Sequence, residues 1–83
     1  MHWIQAKNAS ETRHETEVGR IIGIDEHGVH VEVAGEVRHY VTRDLERLED
    51  LVSRFGPKVR IQQRCSLLRL RNHLFSIRGP LEP

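Results

Sequence analysis

A strict alternation of valine with other residues constrains the fold of this chain more than any other feature. Residues 29–34 read VHVEVA, so every second side chain is a valine. Successive side chains of a β-strand point to opposite faces, so this pattern predicts a strand with one buried face. Just before it, Val18, Ile22 and Ile24 share one parity, and the tetrapeptide DEHG is typical of a turn. The two segments together predict a β-hairpin.

The residues after Val33 predict a second hairpin, and its register has two alternatives. A loop of three residues at 34–36 sets Val33 opposite Val37, whereas a loop of two residues sets His30 opposite His39. The first register agrees with the hydrophobic pattern and brings opposite charges together on the outer face, so it is the one we predict. It places His30 and His39 on opposite faces, where they cannot share a metal ion. We therefore predict no metal site and no cofactor.

Residues 43–55 are predicted to form an amphipathic helix. Thr42 suits the N-cap position, and Asp44 adds negative charge at the first turn. Gly56 suits the C-terminal cap, and Pro57 prevents the helix from continuing. The apolar side chains recur at helical spacing and form one stripe, which consists of Leu45, Leu48, Leu51, Val52 and Phe55.

The C-terminal part of the sequence predicts three more strands. KVRIQ alternates between polar and apolar residues, as a half-buried strand does. In SLLRLRNHLFSIR we predict a hairpin that turns at Asn72-His73, because that register sets apolar residues such as Leu68 and Ile77 opposite each other. A helix over 61–74 is the alternative, because the apolar residues there also recur at helical spacing.

The predicted order of elements is β-β-β-α-β-β-β, which belongs to the α+β class. Such a chain forms a small antiparallel sheet or an open barrel with one helix against it. The first meander, VGRIIGIDEHGVHVEV followed by VTRDLERL, resembles an SH3-like small barrel. The resemblance implies that fold but no function, because one fold hosts many functions. We predict a single domain over 16–83, preceded by a flexible segment over 1–15.

Charge is distributed unevenly along the chain. Residues 1–53 carry six basic and eleven acidic side chains, a net charge of −5, whereas residues 54–83 carry seven basic and one acidic, a net charge of +6. Such asymmetry is typical of a chain that binds a charged partner. The predicted basic binding face consists of Lys58, Arg60, Arg64, Arg69 and Arg71.

The length of the chain favours association with partners. It has 83 residues and a single cysteine, so it cannot form a disulfide within itself. A domain of this size buries little apolar surface, and small domains often gain stability from partners. We therefore predict a homo-oligomer, most simply a dimer, in which the acidic helix meets the basic strands. The candidate interface residues on the helix are Leu45, Leu48, Asp44 and Glu49.

The sequence contains no enzyme motif: a nucleophile elbow, a phosphate loop, zinc-ligand spacing and a dinucleotide fingerprint are all absent. No apolar run predicts a signal peptide or a membrane span, and a lone thiol fits a reducing compartment. We predict a cytoplasmic, non-catalytic module that associates with itself or with an acidic protein. A module that binds nucleic acid through its basic face is the alternative.

Overall fold

The computed structural model describes residues 16–81, and the predicted flexible segment 1–15 lies outside them. The strands are β1 (Thr16–Asp25), β2 (Gly28–Val33), β3 (Glu36–Thr42), β4 (Lys58–Gln62), β5 (Leu67–Leu70) and β6 (His73–Arg78), and the α-helix between β3 and β4 is α1 (Leu45–Phe55). Neighbouring strands are antiparallel in the order β1-β2-β3-β6-β5-β4, and β4 pairs with β1, so the sheet closes into a ring. The predicted α+β class and order of elements are confirmed. Residues 61–74 form strands and a short 3₁₀ turn rather than a helix.

A hydrophobic core fills the closed sheet. Its buried members are Ile21, Val29, Val31, Val33, Tyr40, Leu48, Leu51, Val59, Ile61, Leu68, Leu70, Phe75 and Ile77. All three valines of β2 belong to it, which confirms the half-buried strand that their alternation predicts. Leu48 and Leu51 are the buried residues of α1. Each large apolar side chain stabilises the fold by roughly 1.5–3 kcal/mol when it leaves water.

The parity predicted for β1 is wrong for Val18 and Ile22, whereas Ile24 is partly buried against the core. Val18 and Ile22 are 49% and 52% exposed, whereas Gly19 and Ile21 are buried. A bulge between Ile21 and Gly23 shifts the register against β2, so Ile22 is an extra residue on this strand. Gly19 takes one of the inward positions. Because glycine has no apolar side chain, a hydrophobic pattern does not reveal this position.

The register predicted for the β2–β3 hairpin is also wrong. His30 pairs directly with His39, so the loop consists of the two residues Ala34 and Gly35. Both have positive φ, at +51° and +81°. Positive φ at both central residues is the signature of a type I′ turn, whose twist matches that of the flanking strands. The twist of this turn therefore determines the register, although the opposition of Val33 and Val37 favoured the three-residue loop.

The predicted β5–β6 hairpin is present, with its register shifted by two residues. Leu68 pairs with Phe75 instead of Ile77, and the turn lies at Arg71-Asn72. An even shift keeps every side chain on its original face, so the predicted apolar and basic faces are unchanged. Arg71 has a φ of +58°, a conformation that is uncommon for arginine.

Helix α1 begins at Leu45, two residues later than predicted, and ends at Phe55 as predicted. Thr42 does not cap it, because this residue belongs to β3 and its hydroxyl donates to the carbonyl oxygen of Ser76 at 2.9 Å. Gly56 ends the helix with a φ of +93°, and its amide donates to a carbonyl of the last turn at 2.8 Å. Within residues 16–81, no helix is long and apolar enough to cross a membrane.

A chain of polar side chains ties β1 and β3 to the residues that follow β4 and β6. Arg38 contacts both carboxylate oxygens of Glu17, at 2.8 and 3.0 Å, and also donates to the hydroxyl of Tyr40 at 3.2 Å. Tyr40 in turn donates to Gln63 Oε1 at 2.9 Å, and Gln63 Nε2 donates to the carbonyl of Gly79 at 2.7 Å. The hydrogen bonds that the guanidinium donates to the Glu17 carboxylate raise the pKa of Arg38 further above its ordinary value. This network leaves no buried polar group of the Tyr40 side chain unsatisfied.

Candidate functional site

Four of the five residues predicted to form the basic binding face lie together on the outside of the ring. Lys58 and Arg60 belong to β4, Arg69 belongs to β5, and Arg71 begins the turn after β5. They point outward because the residues between them, such as Val59, are buried in the core. We refer to Lys58, Arg60, Arg69 and Arg71 as the basic face.

Arg60 and Arg69 lie directly opposite each other on neighbouring strands. Both are exposed, and neither makes an ion pair with any acidic side chain of residues 16–81. Like charges in directly opposed positions of a sheet destabilise it, by up to about 1 kcal/mol. The sheet therefore carries an electrostatic cost at this point, and a bound anion would relieve it.

The basic face lines a groove of about 380 Å³. Phe55 from the end of α1 forms part of its wall and is 43% exposed. The guanidinium of Arg71 lies over the Phe55 ring, 5.0 Å from its centroid, and the His73 ring stacks on it at 6.4 Å. The groove thus combines cationic side chains with an accessible aromatic ring. The sequence prediction missed Phe55, because its helical spacing assigned it to the buried stripe.

Exposed aliphatic side chains flank the arginine pair. The register places Val18 of β1 beside Arg60, and Leu74 of β6 beside Arg69. Val18 is 49% exposed and Leu74 is 52% exposed. The outer surface of these four strands therefore runs from apolar to basic to apolar, which suits a partner with both negative charge and apolar area.

The remaining predicted site residues lie elsewhere. Arg64 is in the 3₁₀ turn and does not line the groove. On the helix, Leu48 is fully buried and offers no surface to a partner, and Leu45 is half-buried. Asp44 and Glu49 are exposed. Of the four candidate interface residues, the two acidic ones are therefore accessible.

A second groove of about 700 Å³ lies between the start of α1 and β6. It also contains arginines, but its charge is mixed, because Asp44 lies on the same wall. Arg47 is already engaged there: it donates to the carbonyl of Leu74 at 2.7 Å and lies 4.1 Å from the centroid of Phe75. The first groove is therefore the better candidate for an anion.

The two-residue hairpin loop also brings His30 and His39 together. Their rings stack with centroids 4.4 Å apart and an angle of 9° between the planes. His30 Nε2 donates to Asp25 Oδ2 at 2.8 Å. Hydrogen bonds to the carboxylate from His30 and from the amide of His27 lower the pKa of Asp25 to about 2. The predicted absence of a metal site rested on the three-residue register, so it loses its basis.

Comparisons with protein-family models, with curated proteins and with solved structures gave no match.

Proposed function

We propose that this chain is a non-catalytic interaction module that binds a polyanion in the groove of the basic face. The observation that carries the proposal is the pair Arg60 and Arg69, which oppose each other and make no ion pair within residues 16–81. Guanidinium groups donate several hydrogen bonds in a fixed plane and match phosphate and carboxylate oxygens. Their location on rigid paired strands keeps the spacing of these donors constant.

Single-stranded nucleic acid is the polyanion that the groove suits best. Proteins that bind single strands combine a cationic groove with aromatic rings on which bases stack, and Phe55 supplies such a ring beside Arg71. The basic face offers no arrangement of side chains that would read base edges. We therefore expect weak dependence on sequence and strong dependence on salt.

Self-association through complementary charges is a second candidate function. It is supported by the exposed acids of α1, which include Glu46 and Glu49, and by the apolar residues Val18 and Leu74 that flank the arginine pair. In such an assembly the helix of one chain lies on the basic face of another. The resemblance of the first three strands to an SH3-like barrel stays a prediction and supports neither function over the other.

Fluorescence anisotropy with a labelled oligothymidylate of about 12 nucleotides tests the first function, because small single-strand-binding domains such as OB folds cover about 4–16 nucleotides. The logarithm of the affinity should fall with the logarithm of the salt concentration, with a slope of about −0.7 for each phosphate contacted. The variant Arg60→Glu/Arg69→Glu should lose binding and stay folded. Its matched control is Arg43→Glu/Arg78→Glu, which changes the net charge equally at exposed positions outside this groove.

Size-exclusion chromatography with light scattering, run on the same variants without nucleic acid, tests the second function. If the Arg60→Glu/Arg69→Glu variant dissociates an oligomer that the control variant keeps, the basic face serves self-association. If the variant keeps both the oligonucleotide affinity and the mass of the wild type, neither function belongs to this face.

A further inference from the structure

We propose that Asp25, His30 and His39 form a binding site for one divalent transition-metal ion of the zinc class. These residues come from three neighbouring strands, β1, β2 and β3, so one bound ion would link all three on the outside of the ring. The site is separate from the basic face, which belongs to β4, β5 and the turn after β5.

The distances between the donor atoms suit a metal ion. Each of the three side chains offers one ligand atom, and these atoms all lie within 4.8 Å of one another. Around a tetrahedral zinc ion with bonds of about 2.0–2.1 Å, ligand atoms are about 3.3 Å apart. Asp25 Oδ2 and His30 Nε2 are already 2.8 Å apart. Because lone pairs of imidazole nitrogens lie in the ring planes, metal binding requires the His30 and His39 rings to rotate out of their parallel stack until both face one ion.

The state of His39 gives an independent reason to expect an ion. Its Nε2 atom is buried and has no hydrogen-bond partner in the part of the chain that the structure describes. Buried polar atoms in folded proteins nearly always have a partner, so an orphaned ring nitrogen beside a carboxylate and a second imidazole calls for a bound water or ion. A metal ion held by Asp25 and His30 would supply that partner.

Hydrogen bonds from the neighbouring backbone hold the Asp25 carboxylate in position for an ion. Asp25 Oδ1 accepts hydrogen bonds from the amides of His27 at 2.8 Å and Gly28 at 3.0 Å, which leaves Oδ2 for the ion. Gly28 has no side chain, and a Cβ atom there would clash with the Tyr40 carbonyl and lie 3.2 Å from His39 Nε2. The glycine therefore leaves the room in which the imidazole of His39 sits.

The chemistry of the donors selects the ion. Two imidazole nitrogens and one carboxylate oxygen suit zinc, cobalt or nickel, whereas magnesium and calcium prefer oxygen ligands throughout. The fourth position is open to water. A small domain gains stability from a metal ion that binds only its folded state, so we assign this site a stabilising role.

Metal titration of the full chain, produced without a histidine tag, tests the proposal. Titration with Co²⁺ should produce visible d–d absorption that saturates at one equivalent, and Zn²⁺ should abolish that absorption by displacement. Zn²⁺ should raise the melting temperature, and Mg²⁺ at the same concentration should leave it unchanged.

Variants show whether the metal binds at this cluster. Asp25→Asn keeps an oxygen acceptor for the two amides and removes the charged ligand, so it should stay folded and lose about tenfold or more in Zn²⁺ affinity. The variants His30→Ala and His39→Gln should each lose as much Zn²⁺ affinity as Asp25→Asn does. The matched control is His73→Ala, which removes a histidine at Phe55 and should bind Zn²⁺ as the wild type does.

The proposal is overturned if the folded Asp25→Asn variant binds Zn²⁺ as tightly as the wild type. It is equally overturned if the wild type binds no tighter than the His30→Ala/His39→Gln variant, or if His73→Ala loses as much affinity. Asp25→Asn decides the question even if a histidine variant fails to fold.

Discussion

Arg38 and Glu17 form a two-pronged salt bridge across 21 residues of sequence, with N–O distances of 2.8 and 3.0 Å. The side chains are only 18% and 32% exposed, so water screens this pair less than an ion pair on the open surface. Arg38 also donates to Tyr40, whose ring belongs to the core. The salt bridge therefore connects partly exposed polar side chains to Tyr40 and so to the hydrophobic core.

The first prediction concerns this salt bridge. Arg38→Ala should lower the free energy of unfolding by about 1–3 kcal/mol, because it removes one charge partner of a partly buried carboxylate and one partner of the Tyr40 hydroxyl. Urea denaturation measures the change. Arg43→Ala, at an exposed arginine, is the control and should change stability by less than about 0.5 kcal/mol. Equal effects of the two variants would show that the salt bridge adds nothing.

The second prediction concerns the turn between β2 and β3. Ala34→Asn should raise the free energy of unfolding by up to about 1 kcal/mol, because asparagine tolerates positive φ and Asn-Gly is the preferred pair for a type I′ turn. Ala34→Val should destabilise the fold, because a β-branched residue is strained at positive φ. Thermal denaturation ranks the three proteins. The opposite order would contradict the two-residue loop.

The third prediction concerns the faces of the β5–β6 hairpin. Leu68→Lys should destabilise the protein by more than about 4 kcal/mol, because it puts a charge where the native side chain is fully buried. Ser76→Lys, at an exposed position of the partner strand, should be nearly neutral. Circular dichroism and urea denaturation compare the two variants. Equal tolerance of lysine at both positions would refute the assigned faces.

The fourth prediction separates stability from binding at the arginine pair. Arg69→Glu should raise the free energy of unfolding by about 0.2–1 kcal/mol, because it replaces two opposed like charges by an attractive cross-strand pair with Arg60. The same variant should weaken binding to the oligonucleotide. Arg43→Glu changes the net charge equally and should show neither effect. A loss of stability in Arg69→Glu comparable with that of a core variant would contradict the cost assigned to Arg60 and Arg69.

The parts of the fold predicted correctly from sequence are those that depend on local patterns. Helix α1 follows from the spacing of its leucines and from Gly56-Pro57 at its end. The outward direction of Arg60 and Arg69 follows from strict alternation along β4 and β5, and it does not depend on the exact turn. These features need no knowledge of which strands meet in space.

The errors arise where one residue changes the register or where distant residues meet. Because of the bulge at Ile22 and the glycine at position 19, the hydrophobic pattern of β1 does not show which side chains point inward. An alanine does not indicate a positive φ in a sequence, so the opposition of Val33 and Val37 favoured the wrong register. In the observed register Val31 faces Arg38, and this arginine finds its partner in Glu17 on another strand, which no local pattern predicts.

The candidate site was predicted in part for the same reasons. Parity along the strands predicts which arginines share a face, and four of the five predicted basic residues line the groove. The contribution of Phe55 depends on where α1 ends relative to β5, a tertiary relationship that spacing along the helix does not contain. The cluster of Asp25, His30 and His39 depends wholly on the register of one hairpin, and the sequence pattern favoured the other register.

The residues after β6 bear on how the protein resists aggregation. Within residues 16–81, strands β3 and β6 pair at only two positions, so this part of the chain leaves much of one side of β3 without a neighbouring strand. There the amide of Leu81 donates to the carbonyl of His39 at 2.8 Å, so the chain itself covers part of this side. Uncovered strand edges are templates on which other chains add strands. A protein that ends at Gly79 would lack this cover and would expose the edge of β3. Its tendency to form intermolecular β-structure would therefore rise, although its core is unchanged.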